Sequence, residues 1–291
     1  MPRFETPDDL AAALRAESYL ADHGLVVSLY LALAMNRPLL LEGEPGVGKT
    51  EVARTLARAL GADLVRLQCY EGIDAAQALY EWDYAAQMLY ARVLQAGELA
   101  APDAVERLYD ERFLHERPLL AAVRAGSRAV LLVDELDRAD DEFEAFLLEA
   151  LSDFAVTIPE LGRVTSTDGS RPVVVLTSNR TRELHDALKR RCLYHWIDYP
   201  SAEREAEIIR LRVPGASDRL ARSVAGAIEW LRGLDLVKPP GAAEAIDWAE
   251  ALAVLGHDEV TTDGAAATLG FAVKNREDLE AVTGRIAELP A

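Results

Sequence analysis

Cysteine is nearly absent from this chain: Cys69 and Cys192 are the only two in 291 residues. Two thiols make no disulfide framework. One bridge is arithmetically open, but such scarcity fits a reducing compartment with buried thiols. Histidine is scarce as well. His23, His115, His185, His195 and His257 show no i, i+4 pairing and no neighbouring cysteine, which argues against zinc chemistry. Positive charge is in deficit, with 31 Lys and Arg against 49 Asp and Glu and a net charge of −18. A nucleic-acid binder needs surplus cations to displace counterions, so no nucleic-acid partner is expected. Long apolar runs are missing too. The longest, from Gly24 to Met35, is closed by Asn36-Arg37-Pro38 and is too short to span a bilayer. MPRFETPDDL at the N-terminus lacks a cationic region followed by an apolar one, so no secretory signal is expected. A cytoplasmic protein follows, with peripheral membrane association left open. No G-x-S-x-G occurs, which leaves a serine hydrolase without support.

What is present reads as globular: 50% apolar and 27% charged residues. Thr6-Pro7-Asp8-Asp9 is a helix start, with a hydroxyl cap, an early proline and acids near the positive end. Helices are expected over 9–20, 24–35, 51–60, 85–95, 103–109, 117–125, 140–152 and 181–190. Strands are expected over 38–41, 64–69, 129–133, 173–176 and 194–198, with a hairpin over about 154–168. After Pro200 the strands stop, and 201–212, 217–232, 242–255 and 276–288 read as helical. The expected organisation is an α/β domain over 1–200, carrying an insert at about 71–126, and a helical domain over 201–291.

Gly43-Glu44-Pro45-Gly46-Val47-Gly48-Lys49-Thr50 satisfies G-x-x-x-x-G-K-[ST]. Glycines let the backbone wrap a phosphate with its N–H groups pointing inward. Lys49 neutralises the β/γ oxygens, Thr50 is a Mg²⁺ ligand, and the helix opening at Glu51 adds its dipole. Further on, the apolar strand from Ala129 to Val133 ends in Asp134-Glu135. The first carboxylate suits the Mg²⁺ shell and the second a general base for water. A third strand ends in Thr177-Ser178-Asn179, where Asn179 can orient a water at the γ-phosphate, although Ser and Asn also serve as ordinary turn caps. Lys189-Arg190-Arg191 stands without an acid between Ala187 and Tyr194. Arginine forks onto phosphate, and a basic helix end is also favoured by the helix dipole.

In this order the chain resembles the AAA+ ATPases. Asp134-Glu135-Leu136-Asp137-Arg138-Ala139, followed by Phe146-Leu147-Leu148-Glu149-Ala150, is similar to the MoxR branch, as is the hairpin before the third strand. LQCYEGIDAAQALYEWDY and LTSNRTRELHDALKRRCLYHWIDYP resemble the CoxD-like subgroup, which accompanies molybdenum-containing carbon monoxide dehydrogenase and related hydroxylases. The resemblance covers about residues 23–256. It implies a P-loop core with a doubly wound parallel sheet, a small all-helical lid, ATP and Mg²⁺ as cofactors, and self-assembly into a ring, commonly a hexamer. It also implies an arginine reaching the neighbour's γ-phosphate; alignment of ALKRRC favours Arg191, with Arg190 next. The implied role is a chaperone that remodels or matures a client, such as the metal site of a molybdenum hydroxylase, beside a von Willebrand A domain partner. One departure stands out. Where the lid usually offers a sensor arginine, this chain has Lys238-Pro239-Pro240-Gly241, so Lys238 is either a solvated lysine ahead of a proline-started helix or a contact that reaches phosphate only as a point charge. Tyr80, Trp82 and Tyr84 in the insert are either client-gripping or local packing. Two other readings stay open: a DNA-directed module of the same fold, and a nucleotide-binding scaffold without productive turnover.

Overall fold

The computed structural model describes residues 4–96 and 107–290. Backbone contacts divide the chain into two units. The first comprises Val27–Leu41 and Ala53–His195 with the extreme N-terminus; the second comprises Asp8–Val26, Glu42–Val52 and Trp196–Ala291. Strands β1 (Leu39–Gly43) and β9 (Leu193–Ile197) run from one into the other. Grouped this way, the glycine-rich segment and the opening of the helix after it go with the helical part of the chain.

A five-stranded parallel sheet has the order β2-β5-β8-β1-β9, where β2 is Asp63–Gln68, β5 Ala129–Asp134 and β8 Val173–Ser178. β5 pairs β2 from Asp63↔Ala129 to Gln68↔Asp134, and pairs β8 from Val130↔Val173 to Val133↔Leu176. Every residue of AVLLVD in β5 is buried, as a strand covered on both faces requires. The register brings the carboxyl ends of these three strands out together, at Gln68, Asp134 and Ser178. Helices α2 (His23–Met35) and α3 (Lys49–Leu60) flank β1 in sequence.

The insert builds a second small sheet. After α4 (Ala75–Leu79), β3 (Tyr80–Trp82) pairs antiparallel with β4 (Leu114–Glu116), with α5 (Tyr84–Ala96) between them and α6 (Pro118–Ala125) after. The helix expected over 103–109 lies largely outside the described residues. Trp82 is buried edge-on between Tyr80 and Tyr109, in a cluster with Phe113, Leu120 and Ile158. Packing accounts for Trp82, whereas Tyr84 is exposed. Next comes α7 (Asp141–Asp153), capped by Asp140, whose carboxylate accepts from Phe143 N at 2.8 Å. The hairpin follows as β6 (Val156–Ile158) and β7 (Gly162–Val164).

The arginine helix, α8, is shorter than its sequence suggests: Asp186–Arg191. The preceding N–H groups are taken by carboxylates instead. Asp137 accepts from Thr181 N at 2.9 Å, and Glu144 accepts from His185 N at 2.8 Å. Side-chain acceptors of this kind compete with the helical ladder.

The second unit is helical: α9 (Ala202–Arg212), α10 (Asp218–Arg232), α11 (Ala242–Val254), α12 (Thr262–Ala272) and α13 (Arg276–Thr283). Its core gathers Ile209, Leu220, Val224, Ile228, Leu231, Leu252 and Leu269 around Trp248, whose Nε1 donates to Thr268 Oγ1 at 2.8 Å. α12 is absent from the sequence expectation. Its buried face is Gly264, Ala265, Thr268, Leu269 and Ala272, in which Leu269 is the single large apolar residue, so the apolar spacing is weak. Helix α1 (Pro7–Ala16) buries Leu10 and Leu14, and Arg15 pairs with Glu207 at 2.6 Å. Arg232 forks onto the buried Glu205, with Nη2–Oε1 at 2.7 Å and Nη1–Oε2 at 2.9 Å.

Candidate nucleotide site

Within the second unit, β1 delivers the chain into the glycine turn Gly43–Gly48, and Lys49 opens α3. Two glycines there are sterically required. A Cβ on Gly43 would lie 2.3 Å from the Ile197 carbonyl oxygen. Gly46 has φ +82°, a region L side chains avoid, and meets the backbone of Gly241; a Cβ on Gly241 would lie 2.6 Å from Gly46 Cα. The two segments are also joined by a hydrogen bond, Ala242 N donating to Gly46 O at 3.1 Å. The start of α11 is thus seated on the turn. Lys49 is buried, and its ammonium donates to the Gly43 and Glu44 carbonyls, both at 2.7 Å. It is held by the loop's own oxygens, acceptors that a phosphate would replace. Val47 is buried while Glu44 and Pro45 are exposed, Gly48 and Thr50 are half-buried, and Glu51 pairs with Arg212 at 3.3 Å. Lys238 is exposed, and its backbone N–H donates to Asp278 at 2.9 Å.

Within the first unit, β5 ends in Asp134, which is 2% exposed. Thr177 on β8 donates to Asp134 Oδ1 at 2.6 Å, and Arg66 on β2 donates to Oδ2 from Nη2 at 2.6 Å and Nε at 3.0 Å. Glu135 follows with φ +54° and ψ +49°, a left-handed conformation uncommon for a non-glycine residue. Its backbone N–H donates to the same Thr177 hydroxyl at 2.9 Å. One threonine therefore fixes the carboxylate of Asp134 and the main chain of Glu135 together. The Glu135 carboxylate, about one-third exposed, accepts at Oε2 from Gln68 Nε2 at 3.1 Å and Arg138 Nε at 2.9 Å. Two carboxylates thus stand side by side in unlike settings: one buried with both oxygens engaged, one reaching toward solvent.

Asp137, two residues on, accepts from Asn179 N at 3.1 Å, Thr181 N at 2.9 Å and Thr181 Oγ1 at 2.6 Å. Burial alone would push its acidity down; these donors outweigh burial and hold its carboxyl below the ordinary range. Asn179 is placed by its main chain, and its carboxamide has no partner among the described residues. Arg182 links onward, donating to the Ala139 carbonyl and pairing with the buried Glu144.

The basic run ends α8. Arg37 caps it, donating to the carbonyls of Arg190 at 3.0 Å and Arg191 at 3.2 Å. The Arg191 guanidinium is tied to α7, donating to Leu148 O at 3.0 Å and to Ser152 Oγ. Arg190 is exposed, and its guanidinium has no partner among the described residues. Arg37, Arg171, Arg190 and Arg191 border one cavity of about 380 Å³. Cys69 and Cys192 are buried free thiols, both pushed up to about 12 by burial, Cys69 also by surrounding carboxylates including Asp134 and Asp137. Neither is poised as a thiolate.

The glycine cradle of the second unit, and the buried Asp-Glu strand end with a polar strand beside it in the first, are each parts of a P-loop pattern. A family model described as the AAA domain of the dynein-related subfamily matches residues 38–192. The chain belongs to this family. As a dynein-related AAA protein it is a nucleotide-binding ATPase of MoxR type. Protein NorQ of Paracoccus denitrificans is 27% identical over 233 residues, spanning 77% of this chain and 76% of NorQ. Chaperone protein ClpB 1 of a Nostoc species is 30% identical over 184 residues, which are 62% of this chain and only 17% of that protein. Among solved structures, a proline-to-glycine mutant of Thermotoga maritima RuvB matches with a TM-score of 0.51 at 18% identity, over 91% of this chain and 70% of that one, a likeness of fold alone.

Sequence reasoning missed Arg66, Gln68 and Arg37, along with the bridging role of Thr177. Only the alternation of Arg66 and Gln68 along β2, which places both on one face, hinted that they act together.

Proposed function

We propose that this AAA ATPase hydrolyses ATP with Mg²⁺ as a ring-forming chaperone that remodels a client. Gly43, Glu44, Pro45, Gly46, Val47 and Gly48 wrap the phosphates, and Lys49 exchanges the Gly43 and Glu44 carbonyls for phosphate oxygens. Thr50 and Asp134 would serve the Mg²⁺ shell, and the ion would supply charge neutralisation at the phosphates. The donor set suits this, a hydroxyl and a carboxylate being hard oxygen ligands. Among the described residues no group of three or more His, Cys, Asp or Glu could hold a metal alone, so phosphate and water would complete the shell. Glu135 takes the proton of the attacking water and Asn179 orients that water. Glu51 and Lys238 border the nucleotide, Lys238 from the lid.

One observation carries this reading: the Thr177 hydroxyl binding Asp134 and the Glu135 main chain at once, which presets a metal-shell acid and a base beside each other. Glu135→Gln is expected to lower turnover about 10²- to 10⁴-fold while ATP binding persists. Turnover at the wild-type rate removes Glu135 from the base role.

In the proposed ring, commonly a hexamer, an arginine of α8 reaches the neighbour's γ-phosphate. Arg190 is unengaged among the described residues and can extend; Arg191 would first have to leave α7. The finer assignment is that of a CoxD-like maturation factor for the metal site of a molybdenum hydroxylase, in the cytoplasm, beside a von Willebrand A domain partner. It rests on the resemblance of residues 67–84 and 176–200. Purification of the Glu135→Gln protein with ATP bound should carry such a hydroxylase; its absence from the trapped complex removes that client.

A further inference from the structure

Arg66 is a cation already seated on the carboxylate that the proposed function gives to the metal shell. The pair is asymmetric. Asp134 is 3% exposed at its side chain, while Arg66 is 43% exposed and lies on β2, at the end of the sheet order. Two guanidinium donors occupy Oδ2, and Thr177 occupies Oδ1. Arg66 and Thr177 between them thus engage both oxygens of the carboxylate. A buried Asp needs a compensating charge, so the guanidinium stabilises the acid while no other cation is near. That same positive charge repels a divalent ion approaching the same oxygen. Arg66 has somewhere to go: its Nη2 also donates to Gln68 Oε1, and its exposed stem opens to solvent.

We propose that Arg66 is a positioning residue that competes with Mg²⁺ for Asp134 and so sets the metal concentration at which nucleotide is held productively. Arg66 would leave the Asp134 carboxylate when that carboxylate serves a bound Mg²⁺, and would return to it in the absence of the ion. This rests on the assignment of Asp134 to the metal shell and adds to it a stated competitor within the same unit.

The test is nucleotide binding without turnover. A fluorescent ADP analogue is titrated into the full chain at a series of free Mg²⁺ concentrations and again in EDTA. Arg66→Ala is expected to lower the Mg²⁺ concentration giving half the metal-dependent gain in affinity by about five- to tenfold, with affinity in EDTA unchanged. Arg66→Lys should fall between wild type and alanine. In thermal unfolding, Arg66→Ala should melt below wild type without metal and recover most of the difference when Mg²⁺ and ADP are added. Should Arg66→Ala fail to fold, Arg66→Lys and Arg66→Gln carry the same midpoint comparison. An unchanged or raised Mg²⁺ midpoint in these variants overturns the proposal. Asp134→Asn separates the two levels. If it leaves the Mg²⁺ dependence of ADP binding intact, the assignment of Asp134 itself fails; if it abolishes that dependence while the Arg66 variants do not shift it, only the competition fails.

Discussion

At the residue scale, the chemistry-bearing side chains are legible in the chain, and the ones that hold them are not. Gly43, Gly46, Lys49, Asp134 and Glu135 stand in patterns that dictate their surroundings. Thr177, Asp137 and Arg66 act through contacts across strands, which no local pattern encodes. Asp137 gives the sharpest residue-level prediction. Its carboxyl titrates below its unfolded value because Thr181 and Asn179 donate to its charged form. Its stabilising contribution is therefore complete above about pH 4 and disappears as pH falls through the lower folded value. Asp137→Asn should destabilise by about 1–3 kcal/mol near neutrality. Urea unfolding of the two proteins should show that gap constant from about pH 7 to 5 and narrowing below about pH 4. A gap that does not change with pH means the charge of Asp137 is not what matters.

At the element scale, the strands of the central sheet and most helices announce themselves because their apolar spacing is strong, whereas the three-residue strands β3 and β4 of the insert are too short to show a period. β5 reads as a doubly covered strand from AVLLVD alone. α8 and α12 escape for different reasons. Glu144 and Asp137 capture the turn ahead of α8, so propensity over 181–185 is overridden by tertiary acceptors. Apart from Leu269, α12 packs through glycine, alanine and threonine, whose burial depends on the neighbour that covers them. That neighbour is Trp248 on α11, fully buried and bonded to Thr268. Trp248→Ala should cost about 3–5 kcal/mol by leaving a large void. Trp248→Phe keeps most of the volume but strands the Thr268 contact, and should cost about 1–3 kcal/mol. Chemical denaturation followed by far-UV dichroism would rank the two, and equal losses would show that the volume kept by phenylalanine contributes nothing measurable.

At the scale of the whole molecule, composition excluded more than it specified. A charge of −18 fits a protein client better than a nucleic acid, and the likeness to RuvB, one of fold, does not alter that. Assembly is where the proposed ring is exposed to test. With ATP and Mg²⁺, Glu135→Gln should sediment as a closed oligomer, and Arg190→Ala should assemble yet lose about 10³-fold in turnover per subunit. Mixing Arg190→Ala with Lys49→Ala chains should restore part of the rate if the arginine serves a neighbour. Protein that cleaves ATP at full rate while remaining a monomer would discard the ring. The meeting of Gly46 with Gly241 bears on biosynthesis. On the ribosome, the turn emerges long before residues 241 and 242 have been made, so Gly46 acquires this cover only when synthesis has passed the start of α11.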